Sequence, residues 1–448
     1  MISKKLCTAF ITITLTVLCF GQTAKTEFSE NLMKKAMAGD PHAQFDIGKC
    51  FRRGLGVLMD LNEAKKWLLL SANQSYGKAE AELGAMYFYN EIETETTDGE
   101  YIPEISIKTG KNTNPENTEN AKRWFLRAIE HGETKKANCI LGYMYRKGIG
   151  LELDPKTAFE FIKTSAENGF PEGQRQLGLL YEKGEGVKID PEQAFKWTLL
   201  AANNKETEKK EHNGAAQSTI AFYYSKGFGV QKSEIEAFIW DKKSAENEWA
   251  EGQYNLAQDL WYGKGVQKNP VEALKWYDKA AKKNYPKALF VLGLQSAKGE
   301  GMDQSFSNAA IYYTKAADLG NREAQNNLGT LYKNGTGVQK NINEAFRNFL
   351  RASIQSNEVA YANLGDCYLK GEGVEKNPTE AIKWYQAGSS SGNRICQFRL
   401  GEVYEKGWGV QKDLYLAKQW YLKAADQGLE PAIEAVSRIE KDAISSGR

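Results

Sequence analysis

LGEVYEKGWGVQKDLYLAKQWYLKAADQG, residues 400–428, decides the architecture, because the chain says nearly the same thing ten times. Its opening Leu-Gly returns as Ile47-Gly48, Leu83-Gly84, Leu141-Gly142, Leu177-Gly178, Leu292-Gly293, Leu328-Gly329 and Leu364-Gly365. Ile220-Ala221 and Leu256-Ala257 fill the two gaps. Most steps between these positions are 36 residues. Gly84 to Gly142 is 58, an insertion of 22, and Gly178 to Ala221 is 43, an insertion of 7. A fixed period of this length is the signature of a stacked repeat array.

Each unit holds two apolar-periodic segments of about a dozen residues, hence two helices. In helix A a small residue precedes the Leu/Ile by four (Ala43, Ala79, Ala137, Ala288, Ala324). A tyrosine follows the Gly by three (Tyr87, Tyr145, Tyr181, Tyr224, Tyr332, Tyr368, Tyr404). Leu and Tyr four apart share one helix face. The glycine inside the helix costs about 1 kcal/mol against Ala, so its recurrence implies close approach of a partner helix. A Gly-x-Gly such as Gly371-Glu372-Gly373 then closes helix A with left-handed backbone.

Helix B starts at a cap: Asp60, Asn117, Asp154, Asp190, Ser233, Asn269, Ser305, Asn341, Asn377 and Asp413 are all Asp, Asn or Ser. Pro155, Pro191, Pro270 and Pro378 follow their caps directly. Glu63, Glu236, Glu272, Glu344 and Glu380, three beyond theirs, complete capping boxes. Inside helix B sits a large ring: Trp67, Trp124, Phe161, Trp197, Trp240, Trp276, Tyr312, Trp384 or Trp420. Asn348 breaks the series beside Phe349. These rings are expected to fill the groove between neighbouring units.

The pattern A-x-x-x-L-G-x-x-Y-x-x-G-x-G-V, a cap, then A-x-x-W-Y-x-K-A-A-x-x-G resembles the Sel-1-like repeat family, a branch of the tetratricopeptide-type solenoids. The resemblance covers roughly residues 30–435. It implies an all-α fold: a right-handed α/α superhelical solenoid of about ten 36-residue helix-turn-helix repeats with terminal capping helices. It also implies a scaffold for protein complexes, often in bacterial envelopes and host-interaction pathways, which is an analogy of fold and not of a site.

Taken in order, residues 1–24 read as an export signal. Lys4 and Lys5 open it, Leu6–Phe20 is apolar, and Cys19-Phe20-Gly21 offers small residues for cleavage before Gln22. Lipidation of Cys19 is the weaker alternative, since Leu18 is bulky before it. Residues 25–42 read as an N-terminal capping half-repeat, 43–430 as ten repeats, and 431–448 as a C-terminal capping helix. The insertions fall at 90–118 and 203–214. The first is either a loop without a role or a flap that touches a partner. The location expected is periplasmic or secreted, with no membrane insertion once the signal is removed.

Composition narrows the function. Lys plus Arg total 59 and Asp plus Glu 57, a net charge of +2, so a nucleic-acid partner is not expected. Beyond the leader, Cys50, Cys139, Cys367 and Cys396 lack paired spacings and read as buried apolar residues. In this the chain departs from the cysteine-rich members of the family, which staple each repeat with a disulfide. His42, His131 and His212 lie far apart in no metal-binding motif, so they read as surface or loop residues. Ser75-Tyr76-Gly77-Lys78 and Lys108-Thr109-Gly110 mimic motifs of penicillin-recognising serine enzymes. The first falls at the end of a repeat's helix B and the repeats leave no room for that enzyme's domain. No catalytic residue, cofactor or metal is assigned.

A superhelical array binds along its concave face, lined in this geometry by helix A at positions −3, +1 and +4 from the Gly. At +1 the second to fifth repeats are apolar (Ala85, Tyr143, Leu179, Phe222) and the last two acidic (Asp366, Glu402). Phe88, Tyr143, Arg146, Arg175, Leu179, Phe222, Tyr254 and Trp261 are the candidate groove residues. The alternative at these positions is packing between adjacent A helices. The expected function is a non-enzymatic interaction scaffold in the cell envelope or secreted, binding a protein or peptide. A polysaccharide or peptidoglycan factor, with Trp408 and Trp249 stacking on sugars, is the alternative. A β-lactamase-like hydrolase is less favoured still.

Overall fold

A computed structural model describes residues 28–89, 115–204 and 210–445. Every element is an α-helix, with no strand among the described residues. The short α1 (Glu30–Met37) precedes ten antiparallel A–B pairs. These are α2–α3 (Pro41–Arg53, Leu61–Ala72), α4–α5 (Gly77–Tyr89, Pro115–Glu130), α6–α7 (Lys136–Lys147, Pro155–Glu167), α8–α9 (Pro171–Lys183, Pro191–Ala202) and α10–α11 (Lys210–Lys226, Glu234–Glu246). Then come α12–α13 (Ala250–Tyr262, Pro270–Lys282), α14–α15 (Pro286–Lys298, Phe306–Asp318), α16–α17 (Arg322–Asn334, Ile342–Ile354), α18–α19 (Glu358–Lys370, Pro378–Ser390) and α20–α21 (Arg394–Lys406, Leu414–Ala425). The last helix is α22 (Glu430–Ser445). Two compact units divide between Asn247 and Glu248. Residues 1–27, where the export signal is expected, lie outside the described residues, as do 90–114 of the first insertion and 205–209 of the second.

Local chemistry explains where the helices begin and end. Nine of the ten expected caps accept backbone N–H groups from the first turn of helix B, as Asp413 does from Leu416 and Asn377 from Glu380. The tenth does not: Pro115 opens α5, so Asn117 lies inside that helix. The capping boxes form by half. The glutamate N–H binds the cap, but the cap's own N–H goes elsewhere, to the carbonyl at the tyrosine position of helix A, which is Phe51 for Asp60 and Leu260 for Asn269. Asp154 donates to Tyr145 at 3.0 Å, Asn377 to Tyr368 at 2.8 Å and Asp413 to Tyr404 at 2.9 Å. That bond fixes each A–B turn, and it frees the glutamates Glu63, Glu344 and Glu380 to pair with Lys66, Arg347 and Lys383.

The glycine inside helix A is where helix B comes close. A β-carbon at Gly365 would lie 2.4 Å from the Tyr385 ring, and one at Gly401 2.4 Å from Tyr421. Gly84 faces Phe125, Gly329 faces Phe349 and Gly48 faces Leu68 in the same way. The occupant is therefore the residue after the expected ring. Most of the expected rings are half-buried instead: Trp124, Trp197, Trp384 and Trp420 pack against the core of the preceding repeat. Lys279 and Lys423 lie over Trp276 and Trp420 at 3.6 and 4.1 Å.

Glutamine side chains tie successive repeats together. Gln44, Gln217 and Gln325, just after the small residue of helix A, donate to the carbonyls of Ala36, Ala202 and Ala317 at the preceding helix-B end. Gln74 and Gln355, at the end of their own helix B, donate back to Gln44 and Gln325 at 2.8 and 2.9 Å. The buried amides of Gln44, Gln217 and Gln325 donate across repeat boundaries, so they fix spacing as apolar packing alone does not.

Candidate binding face

In the first unit α4 touches α6 and α6 touches α8; in the second α14 touches α16 and α18 touches α20. Successive B helices do not approach as closely among the described residues. Within each unit the A helices are therefore the inner layer, and their outward side chains form the candidate face.

In the first unit this face is a ladder of paired charges. Glu82 bridges Arg52, on the A helix before it, and Lys136, on the A helix after it, the latter at 3.1 Å. Burial opposes a charge on Glu82, but Lys136 and Arg52 outweigh it and hold the carboxyl well below the usual range. Arg146 is buried and reaches into the next repeat, to Glu185 at 2.6 Å and the Gln176 oxygen at 2.6 Å. The Arg146 guanidinium holds Glu185 below its ordinary pKa. Arg175, also buried, pairs with Glu172 at 2.7 Å.

The candidate residues thus divide. Phe88 and Tyr143 are core residues, packed with Phe125 and Leu141, and present no surface. Arg146 is a buried strut to the next repeat, and Arg175 is buried in an ion pair with Glu172 of its own helix. Leu179 is half-buried, and Phe222 is 48% exposed. Those two are what the first unit still offers to a partner from the candidate set. Tyr254 and Trp261 belong to the second unit. Tyr254 is half-buried between Tyr277 and Tyr285. Trp261 is half-buried close to Gly301.

The acidic end of the face has its own occupant. Arg399 contacts Asp366 at 3.0 Å and Glu402 at 2.7 Å, and the Tyr385 hydroxyl donates to Asp366 at 2.7 Å. Glu405 accepts from Tyr421 at 2.7 Å and from Arg438 of α22 at 2.8 and 2.9 Å. Asp366 and Glu402 are accordingly internal counter-ions, not a free acidic patch. Tyr262, 61% exposed at the end of α12, is a surface ring that the pattern of positions did not single out.

Reactive chemistry has little footing. The four described cysteines, Cys50, Cys139, Cys367 and Cys396, are buried. Burial pushes the thiols of Cys367 and Cys396 up to about 11 and about 12, so neither is a thiolate at neutral pH. His42 is exposed with its ring 4.6 Å from Tyr76. His131 meets the buried Glu80 at 2.6 Å. The His212 side chain lies outside the described residues, as does Lys108–Gly110. Ser75, with φ 60°, sits in the turn between α3 and α4. No group of three or more His, Cys, Asp or Glu that could hold a metal occurs among the described residues.

Comparison with known proteins follows the repeat. The Sel1 repeat model matches residues 41–76, 109–133, 135–170, 171–205, 214–248, 250–285, 286–321, 322–357, 359–393 and 394–429. A protective antigen of uropathogenic Escherichia coli strains, described as having an SLR fold, is 26% identical with a TM-score of 0.51. The match covers 94% of this chain and 91% of that one. A Sel1 repeat protein from Oxalobacter formigenes is 22% identical with a TM-score of 0.54, covering 86% of this chain and 99% of that one. Chitin synthase regulatory factor 3 of Schizosaccharomyces pombe is 31% identical over 160 residues, 35% of this chain but 15% of that protein's length.

Proposed function

We propose a function that starts from family membership: the chain belongs to the Sel1 repeat family, whose model matches ten segments of it. Members of this family are generally non-catalytic protein-interaction scaffolds. Our reading is a non-enzymatic adaptor, exported to the periplasm or beyond, that binds a partner protein or peptide on the A-helix face. The observation that carries it is Phe222, a large ring 48% exposed on that face, with Leu179 half-buried in the repeat before it. Of the other candidates in the first unit, Phe88 and Tyr143 are consumed by packing and Arg146 and Arg175 by pairing. An exposed ring and a part-exposed aliphatic on successive A helices are candidate anchors for a short apolar segment.

The test is affinity capture from native envelope extract with the parent and a Leu179→Glu/Phe222→Glu variant, both checked for helicity by circular dichroism. A partner held by the parent and lost by the variant supports the reading. The same partners on both would remove the first unit's A face from consideration. Turnover of a substrate by the purified chain would remove the non-enzymatic part, and cell fractionation tests the location. A second reading, a polysaccharide or peptidoglycan factor, draws on Trp408, 38% exposed at a turn, and on the partial likeness to a chitin synthase regulatory factor. Co-sedimentation with sacculi or polysaccharide, abolished by Trp408→Ala, is its measurement.

A further inference from the structure

The residue just before the helix-B cap sits over the glycine that closes helix A, and its chemistry is set repeat by repeat. In the last three repeats it is Lys340, Lys376 and Lys412, each exposed, with β-carbons beside Gly335, Gly371 and Gly407. The three turns lie in file. A β-carbon at Gly373 would fall 2.6 Å from the carbonyl oxygen of Ile342, the residue that opens helix B of the repeat before. One at Gly409 would fall 2.8 Å from Pro378, which does the same one repeat on. Lys370 and Lys406, the last residues of α18 and α20, are exposed at the same edge.

None of these five lysines forms an ion pair among the described residues, whereas the nearby Glu372, Glu380 and Glu402 are already paired to Lys333, Lys383 and Arg399. Glu375 and Asp413 are the remaining acids of these turns, and Asp413 is engaged as a cap. The edge therefore carries an excess of positive charge although the whole chain is near neutral. Apolar side chains stand on it: Tyr415 is 75% exposed and Leu414 48%, both in the first turn of α21, with Trp408 in the turn before them.

We propose that the A–B turn edge of the last three repeats docks on an anionic lipid bilayer, with the lysine row on the headgroups and Trp408, Leu414 and Tyr415 entering the interface. Two features favour a bilayer over a soluble polyanion. The apolar groups protrude from turns and helix starts instead of lining a concavity, which suits a deformable apolar layer. Leucine adds nothing to the recognition of a charged polymer, while aromatic rings beside lysine suit the headgroup level. No described helix is long and apolar enough to cross a membrane, so the contact is peripheral. It is independent of the A-face reading above, since the two surfaces share no residue.

The test is flotation of the full chain with phosphatidylcholine vesicles, with and without one part in three of phosphatidylglycerol. The leader is common to parent and variants, so it cancels in their comparison. The expected result is binding to the anionic vesicles alone, weakening as salt rises. Lys340→Ala/Lys376→Ala/Lys412→Ala should lower partitioning about a hundredfold, at about fivefold per lysine. Leu414→Ser/Tyr415→Ser should lower it by about tenfold while leaving binding to dextran sulfate unchanged. Absence of flotation at low salt overturns the proposal, as does a lysine variant that floats like the parent. A Leu414/Tyr415 variant that binds vesicles as well as the parent shows a general polyanion surface and overturns the bilayer assignment.

Discussion

The two units use one skeleton with different residues over the helix-A glycine. In the first unit these are Leu68, Phe125, Ile162 and Thr198; in the second, Tyr313, Phe349, Tyr385 and Tyr421. A tyrosine ring brings a hydroxyl into the core, and a buried hydroxyl requires a partner. Asp366 and Glu405 supply it to Tyr385 and Tyr421, and Arg399 and Arg438 balance those carboxylates. The acidic residues of the last repeats therefore follow from the choice of core ring. In the first unit the paired charges have another origin. Arg52–Glu82–Lys136 spans three A helices and answers to no hydroxyl.

Acid is the largest lever on that difference. Glu82 has a folded-state pKa depressed below its unfolded value, so its contribution is present above the unfolded pKa. It is lost as pH falls through the carboxylate range toward the folded value. Acid unfolding should begin in the first unit, and Glu82→Gln should lower stability at neutral pH and flatten the acid limb. Tryptophan fluorescence and circular dichroism against pH report it. In the second unit Arg399→Ala should cost about 2–3 kcal/mol. That is below the usual cost of removing one partner of a fully buried pair because Arg399 is part-exposed and Asp366 keeps the Tyr385 hydroxyl. A shift of the urea midpoint measures it.

The glycines compare the units directly. Gly401→Ala must push against a rigid ring and Gly48→Ala against the Leu68 side chain, which can turn aside. Overpacking costs about 1–3 kcal/mol, while Ala returns about 1 kcal/mol of helix propensity. Gly401→Ala should destabilise by about 2 kcal/mol and Gly48→Ala by close to nothing. Equal midpoints for the two would show that the ring is not the constraint.

What the sequence made legible was local. The Leu-Gly pair, the Gly-x-Gly turn and the caps are each decided within a few residues, and they appear where their chemistry requires. The choice between Trp384 and Tyr385 as the residue over Gly365 was not local. The two are one residue apart on helix B, and its rotation against helix A decides which faces inward. Arg399, which neutralises Asp366, lies on the next A helix, and Glu185, which holds Arg146, lies in the next turn. Groove membership of Arg146 and Asp366 therefore could not be judged inside one repeat. Asn117 was misplaced for a local reason that was available, since Pro115 two residues earlier is the stronger start signal. Lys340, Lys376 and Lys412 were visible as GVQK or GVEK turns, but their file along one edge needed the stacking.

The smallest expected effect isolates the hydroxyl itself. Tyr385→Phe removes one donor from Asp366, which keeps Arg399 at 3.0 Å, so the loss should be about 1 kcal/mol. Phe349 is the natural form of that variant: it lies over Gly329, and the position matching Asp366 there is Thr330, whose hydroxyl already donates to the Asn326 carbonyl at 3.1 Å. Phe349→Tyr should thus bury a hydroxyl without a committed acceptor and cost about 1–2 kcal/mol. Adding Thr330→Asp supplies the acceptor and should recover part of the loss, giving a favourable coupling between two changes that each destabilise alone. Strict additivity in the urea midpoints would mean that the ring and the acid are chosen independently, and that the acidic A face of the last repeats is set by something other than the tyrosines.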